Sequence, residues 1–237
     1  MKIFKSIIIL LILFSPLTAL SAGGGLSLSQ TRIIFPSNRE SVSISVINSD
    51  VEDVWLLRGW VNEFESEKKT DNFIITPPLY RLDPDSKIQL RINAIDKSKL
   101  SEDIESIFYI NVLAIPPEAD VEKKGDDNAS ISFAINNRIK LFYRPESISD
   151  KRKVMDSYGK ITAEQKGNKV ILKNPTPYYI TLEKTKVNGI NIQGKSQDYM
   201  LAPYGTLSVP YSGNAKYVDY QVINDFGGKS ENFHLKI

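Results

Sequence analysis

The chain has 237 residues, no cysteine and a formal charge of +2. Without thiols it cannot build a disulfide scaffold, a thiolate metal site or a cysteine nucleophile, so packed cores must hold it together. Loss of Lys2 and Lys5 with an N-terminal leader would leave a neutral chain, which gives no reason to expect nucleic acid or an anionic membrane as partner.

The leader comes first. Met1, Lys2 and Lys5 precede an unbroken apolar run from Ile7 to Phe14, Pro16 ends the run, and Ala19, Ser21 and Ala22 supply small residues before Gly23. This is the pattern of a cleaved secretory signal over residues 1–22. The run is well short of the roughly 20 residues of a spanning helix, so stable membrane insertion is not expected. About 215 residues remain, enough for two domains of about 100 each.

Strands are then expected over 26–35, over the stretch where Val42, Ile44 and Val46 alternate with serines, and over 55–64 and 73–76. Ile88, Leu90, Ile92 and Ala94 alternate with Lys87, Gln89, Arg91 and Asn93, and a further strand is expected over 107–115. Alternation with period two marks half-buried strands. Pro36-Ser37-Asn38, Asn48-Ser49-Asp50, Pro77-Pro78, Asp83-Pro84-Asp85 and Pro116-Pro117 provide the turns between them. A helical turn is expected around 97–104. The longest ladder runs through Ile131, Phe133 and Ile135 to Ile139, Leu141 and Tyr143. Seven short strands punctuated in this way read as an immunoglobulin-like sandwich.

From Pro145 to Tyr158 the sequence is polar, mixed in charge and without alternation. A boundary near Pro145 gives domains 23–145 and 146–237. Strands in the second half are expected at 169–173, 178–187, 207–210, 217–223 and 232–237, with Asn188-Gly189 as a hairpin turn and Gly227-Gly228 as another. The expected fold class is all-β.

Catalysis finds little support. His234 is the only histidine and lies in the last expected strand, where such a residue is usually at the surface or packed. G-x-S-x-G, H-E-x-x-H and phosphate-cradling glycine loops are absent from the sequence. A convergent pair of carboxylates would still suit a sandwich-fold glycan hydrolase. Asp120, Glu122, Asp126 and Asp127 cluster in one loop, but Lys123 and Lys124 interrupt them, and a solvated loop is the better reading than a calcium site. No enzyme activity, metal or cofactor is expected. Ile131, Phe133 and Ile135 share one face of their strand, with Ser132 and Ala134 on the other. That face suits either a core strand or an edge strand lending its side chains to another protein, and periodicity does not separate the two.

Six segments, in order along the chain, resemble the periplasmic chaperones of the chaperone–usher pilus pathway. Ile139-Lys140-Leu141-Phe142-Tyr143-Arg144-Pro145 is similar to the signature that ends their first domain. Thr31-Arg32-Ile33-Ile34-Phe35-Pro36 resembles their first strand, and Phe73-Ile74-Ile75-Thr76-Pro77-Pro78 and Ala114-Ile115-Pro116 their middle segments. Asn174-Pro175-Thr176-Pro177-Tyr178-Tyr179 and Ile223-Asn224-Asp225-Phe226-Gly227 resemble their second-domain marks.

The resemblance implies two immunoglobulin-like sandwiches set at an angle around a cleft, in a periplasmic protein that needs no cofactor. Its partners would be pilus subunits and an outer-membrane usher. The implied mechanism is donor-strand complementation, a named instance of strand addition. Ile131, Phe133 and Ile135 would fill the subunit's open groove, and Arg32 and Lys140 would grip its C-terminal carboxylate. Strict alternation puts Lys140 on the face opposite Ile131, so strand twist or a local irregularity is expected there. Glu105, Arg144 and Asp225 would form an interdomain ion-pair network. The short loop over 116–129 resembles the class associated with thick, rod-like pili. A secreted two-domain adhesin or a pilus subunit is the alternative, although such subunits usually carry a cysteine pair.

Overall fold

A computed structural model describes residues 25–117, 133–192 and 199–237. The leader, Ile131 and the acidic loop cluster lie outside the described residues. The first half carries nine strands: β1 (Leu26–Leu28), β2 (Arg32–Pro36), β3 (Ser41–Asn48), β4 (Trp55–Glu63), β5 (Phe73–Thr76), β6 (Leu79–Leu82), β7 (Ser86–Ala94), β8 (Ser106–Ile115) and β9 (Ile135–Arg144). They form a four-stranded sheet in the order β1-β3-β7-β5 and a five-stranded sheet in the order β2-β9-β8-β4-β6. Phe35, Ile44, Leu57, Ile75, Leu90, Ile110 and Leu141 fill the space between the sheets. Phe73 stands 5.0 Å from both Phe35 and Phe108, ring centre to ring centre. Gly59 lets the sheets approach, since a Cβ there would lie 2.8 Å from the Ile75 side chain.

One expectation is corrected here and another is narrowed. The single strand expected over 26–35 is two strands, β1 paired with β3 in one sheet and β2 paired with β9 in the other. Leu26 and Leu28 pack against the core from even positions and Ile33 and Phe35 from odd ones, so the alternation changes parity at the switch between sheets. The helical turn expected around 97–104 is one hydrogen-bonded turn, from the Leu100 amide to the Lys97 carbonyl at 3.1 Å, in an otherwise irregular loop. The Lys97 ammonium there donates to the carbonyl of Ser37 at 3.1 Å and pairs with Glu40 at 2.8 Å, which ties the loop down without a helix.

The second half carries β10 (Thr162–Lys166), β11 (Lys169–Lys173), β12 (Ile180–Val187), β13 (Ile190–Asn191), β14 (Met200–Leu201), β15 (Thr206–Pro210), β16 (Tyr217–Val222) and β17 (Phe233–Lys236). Sheets β10-β11-β15 and β13-β12-β16-β17, the latter with β14 on β12, enclose a core built on Val170, Leu172, Ile180, Leu201, Val218 and Tyr220. Asn188 and Gly189, at φ 49° and 80°, make the two-residue turn from β12 to β13. The chain is all-β with two sandwiches, as expected.

One helix, α1 (Lys151–Ser157), lies in the stretch read as irregular. Asp150 caps it by accepting from the amides of Arg152 at 2.8 Å and Lys153 at 3.3 Å. With only Val154 and Ser157 buried in seven residues, it is too short to show a helical period.

Candidate functional site

The site begins with the unequal neighbours of β9. β8 pairs with it along its whole length, Ile135 opposite Ala114 through Tyr143 opposite Ser106. On the other edge β2 pairs with it in parallel, but only from Lys140 to Arg144. Among the described residues, no strand covers that edge from Ile135 to Ile139. The side chains of the core-facing row grade along the strand. Tyr143 and Leu141 are buried, Ile139 and Asn137 half-buried, Ile135 is 50% exposed and Phe133, just before the strand, 72%. The row that serves as core at one end overhangs its own sandwich at the other.

Arg32 and Lys140 are register partners across β2 and β9, so their side chains leave the same face of the sheet. The register with β8 is continuous, and the irregularity expected near Lys140 does not occur. Lys140 and the Ile135 row face opposite ways, and the uncovered edge lies between them. Arg32 sits at the start of β2, where the open edge ends. Its Nη1 donates to the carbonyl of Ile223 at 2.9 Å, and its guanidinium lies 5.6 Å from the centre of the Phe142 ring. Arg32 also lines a cleft of about 870 Å³ between the sandwiches, together with Ile34, Met155, Tyr158, Phe226 and Lys229, while Lys140 lies outside the cleft wall.

Below the cleft the structure brings Glu105, Arg144 and Asp225 together. Arg144 Nε donates to Glu105 Oε1 at 2.6 Å, and its two terminal nitrogens donate to the Asp225 carboxylate at 2.6 and 2.9 Å. Glu105 Oε2 accepts from the Tyr179 amide at 2.8 Å. Burial pushes the Glu105 carboxyl above its ordinary value, against the pull of the Arg144 guanidinium and the Tyr179 amide. Burial alone would lower the pKa of Arg144, but hydrogen bonds and charge from Asp225 and Glu105 outweigh it and raise the value. Phe142 packs 6.0 Å from Tyr179 across the same seam.

A second network escaped the sequence reading. Arg138 Nε donates to Asn111 Oδ1 at 2.8 Å, Nη2 reaches both Glu67 oxygens at 2.9 Å, and the guanidinium lies 5.4 Å from the centre of the Tyr109 ring. Asn136 donates to the same Asn111 oxygen at 3.1 Å. These groups grip β9 on the face opposite Ile135. Glu67 is 71 positions from Arg138, so no local pattern announces the pair. His234 lies on β17 with Nδ1 2.7 Å from Asp219 Oδ1 and its ring 4.9 Å from that of Tyr217. No three metal-binding side chains converge among the described residues.

Two family models match the chain: the pili and flagellar-assembly chaperone, PapD N-terminal domain, over residues 25–149, and the pili assembly chaperone PapD, C-terminal domain, over 156–234. Chaperone protein LpfB of Salmonella typhimurium is 35% identical over 212 residues, covering 87% of each chain. The periplasmic chaperone SfaE is 32% identical, with a TM-score of 0.73 over 90% of this chain and 100% of its own. The SafB chaperone of Salmonella enterica, solved in complex with the SafA pilin, provides a structure 26% identical with a TM-score of 0.79, covering 92% of this chain and 98% of the other. With both halves matched in order and the open-edged β9 in place, the chain belongs to the PapD-like chaperones of pilus assembly.

Proposed function

We propose that this chaperone holds a pilus subunit by adding β9 to the subunit's incomplete sandwich and clamping its C-terminal carboxylate with Arg32 and Lys140. The observation that carries this reading is the overhanging apolar row on β9 beside an edge that β2 leaves uncovered. An unpaired edge and exposed apolar side chains are liabilities that a partner strand removes while it is bound. Ile131, Phe133 and Ile135 fill the groove, each worth roughly 1.5–3 kcal/mol in transfer terms before the ordering costs of association.

Direction follows from the register. A subunit strand on the free edge lies end to end with β2. Its carboxylate reaches Arg32 and Lys140 only if it runs from Ile135 toward Lys140, parallel to β9. A guanidinium and an ammonium give the carboxylate charge-assisted hydrogen bonds. A fixed terminus sets register, and a slip by one residue would turn each apolar side chain away from the groove.

Glu105, Arg144 and Asp225 fix the angle between domains 23–145 and 146–237. Residues 1–22 direct export to the periplasm and are removed. The loaded chaperone passes its subunit to an outer-membrane usher without catalysis or a cofactor. SafB, solved with a pilin, supports the choice of partner. Co-production with a pilus subunit tests the clamp. Wild type should yield a soluble one-to-one complex, and Arg32→Ala or Lys140→Ala should sharply lower subunit recovery from a folded chaperone. Unchanged recovery in both variants would rule out the clamp.

A further inference from the structure

We propose that Phe226 and Met155, both on the second sandwich, are contacts for the bound pilus subunit, taking an apolar side chain from the region next to its C-terminus. The inference extends the clamp reading, because the subunit's end is placed at Arg32.

Phe226 is 92% exposed and Met155 67%, yet both line the cleft that Arg32 lines. The Phe226 turn is firmly held. The Asn224 side-chain oxygen accepts from the amides of Phe226 and Gly228, each at 3.0 Å, and the Asn224 amide donates to the carbonyl of Gly228 at 2.8 Å. Gly227, at φ 80°, closes the turn against β2, where a Cβ would collide with the Thr31 hydroxyl. Thr31 immediately precedes Arg32, so the turn that carries Phe226 abuts the end of the open edge. An exposed aromatic on a firmly held turn is the kind of residue that anchors an interface, since the backbone that carries it is already ordered.

Met155 projects from α1 into the same cleft, and its unbranched thioether adapts to different side chains. Ile34, Val154 and Phe233 add apolar wall, and Lys229, paired with Glu183 at 2.6 Å, lines the same cleft. An apolar side chain close to a terminal carboxylate matches this combination. A subunit clamped at Arg32 is therefore the occupant that continuity with the open edge favours.

Two measurements test the proposal. Benzoylphenylalanine at position 226 should photo-cross-link to the subunit peptide that includes its C-terminus. Phe226→Ser and Met155→Ser should each weaken subunit binding, the former about ten-fold or more for a lost buried aromatic, with thermal midpoints at the wild-type value because both side chains are exposed. Affinity within two-fold of wild type for Phe226→Ser, or a cross-link that misses the subunit, overturns the proposal. Capture that survives both Arg32→Ala and Lys140→Ala but weakens in Phe226→Ser would instead overturn the clamp and retain Phe226 as a contact.

Discussion

Glu105 keeps 2% of its surface and Arg144 7%, so each depends on the other for its charge to be tolerated. Removing one partner of a buried pair costs about 3–5 kcal/mol, because the survivor is left desolvated. Arg144→Gln should therefore lower stability in urea unfolding by an amount of that order. Asp225→Asn should cost less, since the Asp225 side chain is 29% exposed. Equal losses would contradict this ranking. The tyrosines give a pH dependence at the same scale. Burial raises the hydroxyl of Tyr158 to about 12, and it also raises Tyr178, Tyr179 and Tyr220 above the usual 10.0. The native state keeps protons that the unfolded chain releases, so stability is complete below pH 10 and falls as pH rises from 10 toward 12. Denaturant titrations from pH 8 to 11.5 should show that decline starting near pH 10, and flat midpoints would contradict it. Only the family resemblance points to Glu105, Arg144 and Asp225 as a trio. Spacings of 39 and 81 positions carry no local signal that they meet.

At the scale of elements, β9 is one strand with two environments. Its Lys140–Arg144 half lies between two strands, and its Ile135–Ile139 half has β8 on one side and the Arg138 network across one face. Arg138→Ala should leave the core intact while amide hydrogen exchange over 135–139 speeds up by about ten-fold, as expected for the loss of one or two charge-assisted bonds. Exchange unchanged there would deny the network its role. Ile135→Asp should keep the chaperone's thermal midpoint, because that side chain is half-exposed, and should abolish subunit capture. Most strands were legible because a half-buried strand writes its two faces into alternate residues, as Ile88 to Ala94 does. β10 was missed because its Thr162-Ala163-Glu164-Gln165-Lys166 has little apolar character, and its place depends on pairing with β11. The same alternation could not show whether Ile135 was core or overhang, since that depends on how far β2 extends along the neighbouring edge.

At the scale of the molecule, two sandwiches meet through Arg144, Arg32, the Phe142–Tyr179 contact and a hydrogen bond from the Glu105 amide to the carbonyl of Pro177 at 3.0 Å. The two-sandwich plan was readable from turn spacing and strand count. The interdomain cleft was expected only through the family resemblance, because it is built from the start of β2, a short helix and a turn before β17, which are far apart in the chain. The proposed clamp requires a subunit strand running parallel to β9. The chain contains no cysteine, so single cysteines at Ile135, Asn137 and Ile139 have no competing thiol in the chaperone. Paired with a cysteine scan of the subunit's C-terminal strand, cross-linked partners should move toward the subunit's C-terminus as the chaperone position moves from 135 to 139. Partners that move the opposite way, or cross-links indifferent to position, would contradict the account.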